Sequence, residues 1–461
     1  MHLKSPGAIL LISCYELGHQ PFGVALPFGF LERAGYLPQA TDIAVESFDA
    51  EKVALARFVG ISVPMHTALR MGVQVIERIR EVNPNCHICC YGLYAALNSD
   101  YLLQHGADSC IGGEYEIPLV ALVESLELKS DGEVAGVVRP DSAAKPYLER
   151  LPFAVPARDA LPTLDKYAKL EQNGDCRMAG YVEASRGCLH LCTHCPIPPV
   201  YEGRFFILPQ EIVLEDIRRQ VRAGATHITF GDPDFLNGPN HSLRVVRAMH
   251  EEFPSLTFDF TAKIEHLLNR GEHLAEFAEA GCLFIITAVE SLSDTVLDIL
   301  AKQHTRVEVE AALGVCRDAG IPLRPTWVAF TPWTTLEDYC EVLHFVEANG
   351  LIDHIDPVQF AIRLLIPPGS LLAEHPQTLP HRGELDEAAF TYRWQHPDPA
   401  MDTLQKEVSR LVEQDEQAGD DPASTFFRIL ELAHGQEPSN TVCSLPPDRV
   451  RTARLTETWF C

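Results

Sequence analysis

Three cysteines stand within eight residues in Arg186-Gly187-Cys188-Leu189-His190-Leu191-Cys192-Thr193-His194-Cys195-Pro196. Thiolates are soft ligands, and at this spacing they select an iron-sulfur cluster or zinc. A structural zinc site normally takes four ligands in paired CxxC groups. No second pair follows downstream, although His190 or His194 would complete a site. Ligation by three cysteines leaves one iron of a [4Fe-4S] cluster open to a small chelating molecule. An inert group of thiols is the third reading.

The elements that must position this motif form a βα series. It begins with Tyr181-Val182-Glu183-Ala184-Ser185, directly before the cysteines, and continues through Ile228 to Phe230, Phe258 to Phe260, Phe284 to Ile286, Leu323 to Phe330 and Val358 to Phe360. Helical patterns separate these strands, as in Glu211 to Ala223 and Leu336 to Ala348. Such a series predicts a partial (β/α)6 barrel over 181–372 with its site at the strand C-termini. Residues 1–130 carry a second alternation, with strands expected near Ala8 to Ser13, Asp42 to Val45, Phe58 to Val63, His87 to Tyr91 and Ser109 to Ile111. They predict a flavodoxin-like, Rossmann-like α/β domain whose ligand edge follows the strands. Glu16 and Gln20, Pro64 and His66, Gly92 and Tyr94, and Gly113 and Glu114 lie on those four loops. Pro140, Pro146, Pro152, Pro156 and Pro162 mark 131–180 as a linker, and 373–461 reads as a helical C-terminal region.

The formal charge of −27 offers no basic stripe for a phosphate backbone and argues against nucleic acid. No apolar run reaches the ~18 residues that span a bilayer, and no cleavage-site pattern follows Met1, so a cytoplasmic protein without a membrane partner is expected. In that compartment the 14 cysteines stay reduced, which favours metal binding over disulfides.

The CxxxCxxC spacing resembles the signature of the radical S-adenosylmethionine (SAM) superfamily, over about Tyr181 to Ser370. The resemblance implies a [4Fe-4S] cluster on Cys188, Cys192 and Cys195, SAM on the open iron, and an electron donor such as flavodoxin or ferredoxin. His194 stands where the family often has an aromatic residue and would pack over the adenine. Gly231-Asp232-Pro233 resembles the segment receiving the cofactor's amino group, in place of the family's glycine-glycine-glutamate form. Glu290 would take the ribose hydroxyls, with a helix N-terminal charge as its alternative. Arg324 or Arg363 would hold the cofactor carboxylate, or else make a structural ion pair in the barrel.

A doubly wound domain ahead of this motif resembles the cobalamin-dependent class of the superfamily. The implied cofactor is cobalamin without a lower histidine ligand, since no Asp-x-His-x-x-Gly motif is present. Ile9 to Gly23, Cys90 to Tyr94 and Cys192 to Pro198 are similar to a narrower group with a CUAEP/CCAEP tail. That similarity implies a tail thiol at Cys461, with selenocysteine translation beyond it as one expectation and an ordinary terminus as the other. The implied activity is methylation of an unactivated carbon of a small molecule through a 5'-deoxyadenosyl radical. Cyclisation, rearrangement, aminocarboxypropyl transfer to a soft acceptor such as arsenic, and a non-enzymatic redox or sensor role are the alternatives.

Overall fold

In the computed structural model, residues 2–130, 132–438, 449 and 451–457 are described. The apolar runs of the N-terminal third form strands buried on both faces, as parallel sheets covered by helices require. These are β1 (Ile9–Ser13), β2 (Gln39–Asp42), β3 (Phe58–Ser62), β4 (His87–Tyr91) and β5 (Ser109–Ile111), with β6 (Val137–Val138) added antiparallel at one edge. The order β2-β1-β3-β4-β5-β6 places the topological switch between β1 and β3. β2 lies three residues earlier than its expected position. The Asp42 carboxylate accepts from the Ala44 amide at 3.1 Å, and this local turn ends the strand.

The Pro-rich segment contains more structure than a linker. β7 (Lys169–Gln172) and β8 (Asp175–Val182) form a hairpin over Asn173-Gly174, both at positive φ (53° and 85°), the conformation of a two-residue hairpin turn. After β8 come a short antiparallel pair, β9 (Ser185–Gly187) and β10 (Phe205–Ile207), and the parallel strands β11 (His227–Phe230), β12 (Thr257–Thr261), β13 (Cys282–Glu290) and β14 (Leu323–Trp327). The sixth barrel strand expected at Val358 to Phe360 is instead a 3-10 turn, Pro357–Phe360. Pro357 lacks the amide a ladder needs. The sixth position is reduced to one parallel bridge between Phe330 and Arg363.

The helical C-terminal region also needs correction. Its helices Pro399–Ala418 and Pro422–Ala433 are present, but a hairpin of β15 (Arg382–Asp386) and β16 (Thr391–Trp394) precedes them. β17 (Arg454–Leu455) pairs with β7, so the large sheet runs β14-β13-β12-β11-β8-β7-β17. The two α/β units share a core. Phe22, Leu26 and Phe30 from the first helix (Phe22–Arg33) belong to the same apolar cluster as Ile217, Phe230 and Phe258 of the barrel. No helix among the described residues is long and apolar enough to cross a membrane.

Candidate active site at the barrel mouth

The cysteine loop leaves β9 at the C-terminal end of β8 and is fixed before the first thiol. Gly187 has φ 74°, and a Cβ there would collide with the Arg204 carbonyl and the Tyr201 ring. Asp232 accepts from the Ala184 amide at 2.9 Å and the Ser185 hydroxyl at 2.5 Å, tying the second strand's exit to the first. Thr193 bonds outward, its amide to Leu300 O at 3.0 Å and its hydroxyl to Ile299 O at 2.8 Å. The Leu372 amide donates to Thr193 O at 2.8 Å.

Cys188 and Cys192 are buried, Cys195 is half-buried, and none forms a disulfide. Burial pushes the Cys195 thiol up to about 12 and raises Cys188 as well. Bare thiols in this setting hold their protons, and a bound metal supplies the charge that releases them. Two buried ammonium groups face the loop. Lys302 lies 3.3 Å from Glu290; burial works against its charge, but the carboxylate outweighs burial and holds it above its ordinary value. Lys263 is 7% exposed, and its Nζ has no hydrogen-bond partner among the described residues. Burial lowers it, opposed first by the field of Cys192. A cationic surround of this kind suits an anionic thiolate-ligated cluster, so the donor set fits a [4Fe-4S] group.

The residues expected around SAM divide into two sets. Glu290 and His194 meet at 3.3 Å beside the cysteines. Burial opposes the Glu290 charge, yet Lys302 and then His194 hold its carboxyl down to about 2. Gly231 follows β11, where any side chain would run into the Tyr181 ring. Asp232 already accepts on both oxygens, from the Ala184 amide and the Ser185 hydroxyl just ahead of the cysteine loop. Arg324 pairs with Asp356 at 2.9 Å, at the opposite end of β14 from the mouth. Arg363 pairs with Asp402 at 2.7 Å and stacks on Trp394, 3.4 Å from its centroid. Both arginines are thus engaged in structural ion pairs.

The loops of the N-terminal sheet are mostly committed to the protein itself. Glu16 accepts from the Phe22 and Gly23 amides at 2.7 and 3.2 Å. The Gln20 amide group donates to Pro162 O at 2.9 Å, and Tyr147 fills the space above Gly113. Glu114 accepts from the Tyr201 hydroxyl at 2.9 Å. His66 bonds Ala389 O at 2.7 Å, and its ring meets Phe390, which is 3% exposed and belongs to a core cluster with Val63 and Tyr94. The slot beyond β3, between Pro64 and Gly92, is therefore closed by the β15–β16 hairpin. What stays open is the edge after β1. A cavity of about 430 Å³ there, lined by Tyr15, Glu16, Gly18 and His19, shares His19 and Glu457 with a cavity of about 410 Å³ inside the barrel. The open space between the two units is thus at this gap and not at the His66 slot. Cys461 lies outside the described residues.

Sequence reasoning missed several groups. Lys263 and Lys302 carry no motif signal. Asp234 holds His266 at 2.7 Å and His190, from within the cysteine motif, at 3.5 Å. Burial opposes the Asp234 charge, but the two imidazoles keep its carboxyl below the usual range. His190 thus stands in a cluster with Asp234 and His266, and its Nδ1 meets Gln303 Oε1 at 3.2 Å.

Residues 182–346 match the model of the radical SAM superfamily. The hopanoid C-3 methylase of Methylococcus capsulatus is 24% identical over 68% of the chain, which spans 62% of that relative's length. A ribosomal protein uS12 methylthiotransferase of Porphyromonas gingivalis is 25% identical over 51% of the chain and 60% of its own. The fold of the cobalamin-dependent S-adenosylmethionine radical enzyme OxsB superimposes with a TM-score of 0.71 at 16% identity, covering 95% of this chain and 74% of that one. The radical SAM methyltransferase TsrM from Kitasatospora setae, solved with cobalamin and a [4Fe-4S] cluster, gives 0.60 at 15% identity over 75% and 74%. The chain thus carries a radical SAM domain joined to an α/β domain in the arrangement of these structures.

Proposed function

We infer that this radical SAM protein is a cobalamin-dependent enzyme that methylates an unactivated carbon of a small molecule. The observation that carries the reading is a juxtaposition: Glu290 lines the barrel cavity and meets His194 of the three-cysteine loop at 3.3 Å, and that cavity shares His19 and Glu457 with the gap at the β1 edge of the doubly wound domain.

In this reading Cys188, Cys192 and Cys195 hold the cluster, Glu290 and His194 receive the nucleoside of SAM, and Lys263 supplies the uncompensated cation for its carboxylate. Tyr15, Gly18 and His19 line the place for cobalamin. When bound, cluster and SAM supply hydrogen-atom abstraction from carbon, and cobalamin supplies a methyl group. The chain's own part is positional. Asp232 and Gly187 set the cysteine loop, Lys302 keeps Glu290 ionised, and Leu17, Ile286, Trp327 and Leu455 wall the cavity against water. A small molecule suits a cavity of about 410 Å³, and the charge of −27 speaks against a nucleic-acid substrate. A reduced one-electron donor of the flavodoxin or ferredoxin kind completes the system.

The test is anaerobic reconstitution with iron, sulfide and hydroxocobalamin, followed by SAM and dithionite and mass spectrometry of the nucleosides. Radical methylation gives 5'-deoxyadenosine together with S-adenosylhomocysteine. Methylthioadenosine as the main product would replace methylation with aminocarboxypropyl transfer.

A further inference from the structure

The barrel cavity contains a carboxylate that the reading above does not use. Asp259 lies in the middle of β12, opposite Thr229 on β11 and Phe284 on β13, and is fully buried. At the level assigned to SAM, Gly231 follows the end of β11 and Glu290 is the last residue of β13, the strands on either side. Asp259 therefore sits one layer deeper, at the cavity floor, among Phe230, Ile286 and Trp327.

Its two oxygens are treated unequally. Oδ1 accepts from His227 Nε2 at 2.7 Å and from the Thr229 hydroxyl at 2.7 Å. Oδ2 is buried and has no hydrogen-bond partner among the described residues. A purely structural buried carboxylate satisfies both oxygens, because an unpaired one pays its desolvation without return. Here two donors fix the group in place and leave the second oxygen of a cavity-lining residue unpaired.

The rest of the lining decides what that oxygen receives. Among the described residues no lysine or arginine lines the cavity. Each of the other acids has a partner on at least one oxygen: Asp232 with Ala184 and Ser185, Glu290 Oε1 with Lys302 and His194, and Glu457 Oε1 with the Tyr15 hydroxyl at 2.6 Å. Arg324, whose field reaches Asp259, is bonded to Asp356. His19 faces Asp259 and stacks on Tyr181 at 4.6 Å, and burial pushes it down to about 4, so it is neutral near pH 7. The chamber is mostly apolar, and among its described lining residues Asp259 Oδ2 is the fully buried carboxylate oxygen left without a partner.

We propose that Asp259 Oδ2 anchors a protonated nitrogen of the substrate, which is a small amine with an apolar body. The anchor fixes which carbon of that body stands at the mouth. This rests on the barrel cavity being the substrate chamber of a radical SAM enzyme.

The test uses the reconstituted, cluster-bearing protein with SAM and two size-matched probes, phenethylammonium and 3-phenylpropionate, titrated by calorimetry. Wild type should bind the amine saturably and the acid at least tenfold more weakly. Asp259→Asn, which keeps an acceptor oxygen but removes the charge, should weaken the amine at least tenfold. Equal binding of the two probes to wild type, no saturable binding of the amine, or amine binding unchanged in the Asn variant would each overturn the proposal. The wild-type comparison needs no variant to fold. Reductive cleavage of SAM by the same wild-type preparation reports separately on the enzymatic reading. Its absence removes that reading and the proposal with it, whereas cleavage with indifference to the amine removes the proposal alone.

Discussion

Arg186 Nη1 lies 2.7 Å from Glu116 Oε1, joining the residue two places before Cys188 to the start of the helix that follows β5. The guanidinium also reaches Glu183 at 2.9 Å and Glu114 at 3.7 Å, and all these charges are buried or nearly so. Three carboxylates around one guanidinium make the cysteine loop depend on the N-terminal domain for its placement. Removing one partner of a buried pair strands the other, at a cost of about 3–5 kcal/mol. Arg186→Met should therefore destabilise the chain by that order in urea denaturation and lower the iron retained after reconstitution. Unchanged stability would mean that the network contributes nothing net.

The pH dependence of stability should carry the mark of Glu16. Burial, and then the neighbouring Glu183 charge, push its carboxyl from 4.5 to about 8. The folded-state value is raised, so its contribution is fully present below about pH 4.5 and is lost as pH rises through about 8. Glu16→Gln keeps an oxygen for the Phe22 and Gly23 amides without the charge. The variant should match wild type near pH 4.5 and become progressively more stable than it towards pH 8. Urea midpoints at several pH values check this; a constant difference across the window would contradict it.

Gly187 cannot be replaced without moving the cysteine loop. At φ 74° an L-residue carries strain of roughly 1–3 kcal/mol before any collision with Arg204 O is counted. Gly187→Ala should cost at least that in stability and reduce reconstituted iron, whereas Gly174→Ala, with open space around its Cβ, should leave the iron unchanged.

Phe390 fastens the β15–β16 hairpin to the far domain, with its ring 4.8 Å from Tyr101 and 6.5 Å from His66. Truncation of a buried Phe to Ala costs about 3–5 kcal/mol where the site cannot collapse. Phe390→Ala should show that loss and open the hairpin to limited proteolysis, which would otherwise spare it.

The cysteine motif and most of the parallel strands were legible because each rests on local sequence: three thiols on one loop, and apolar runs bounded by turn residues. The β7–β8 hairpin was legible too, through Asn173-Gly174, but the surrounding prolines outweighed that signal. Pro357 argued against a strand and was passed over in favour of the apolar run that follows it. The lysines at 263 and 302 were hidden, since nothing local separates a buried lysine from a surface one. The ion pairs of Arg324 and Arg363 were hidden for a related reason: their partners, Asp356 and Asp402, come from elements whose approach depends on the completed fold. Asp259 drew no attention because its donors, His227 and Thr229, meet it only across the strand register.

The central claim is that Cys188, Cys192 and Cys195 hold a site-differentiated [4Fe-4S] cluster that SAM engages. Anaerobic reconstitution followed by electron paramagnetic resonance of the reduced protein, with and without SAM, tests it most directly. The account predicts a reduced-cluster signal that changes on adding SAM and is absent from each of Cys188→Ala, Cys192→Ala and Cys195→Ala. A cluster that survives all three substitutions, or a signal indifferent to SAM, would contradict it.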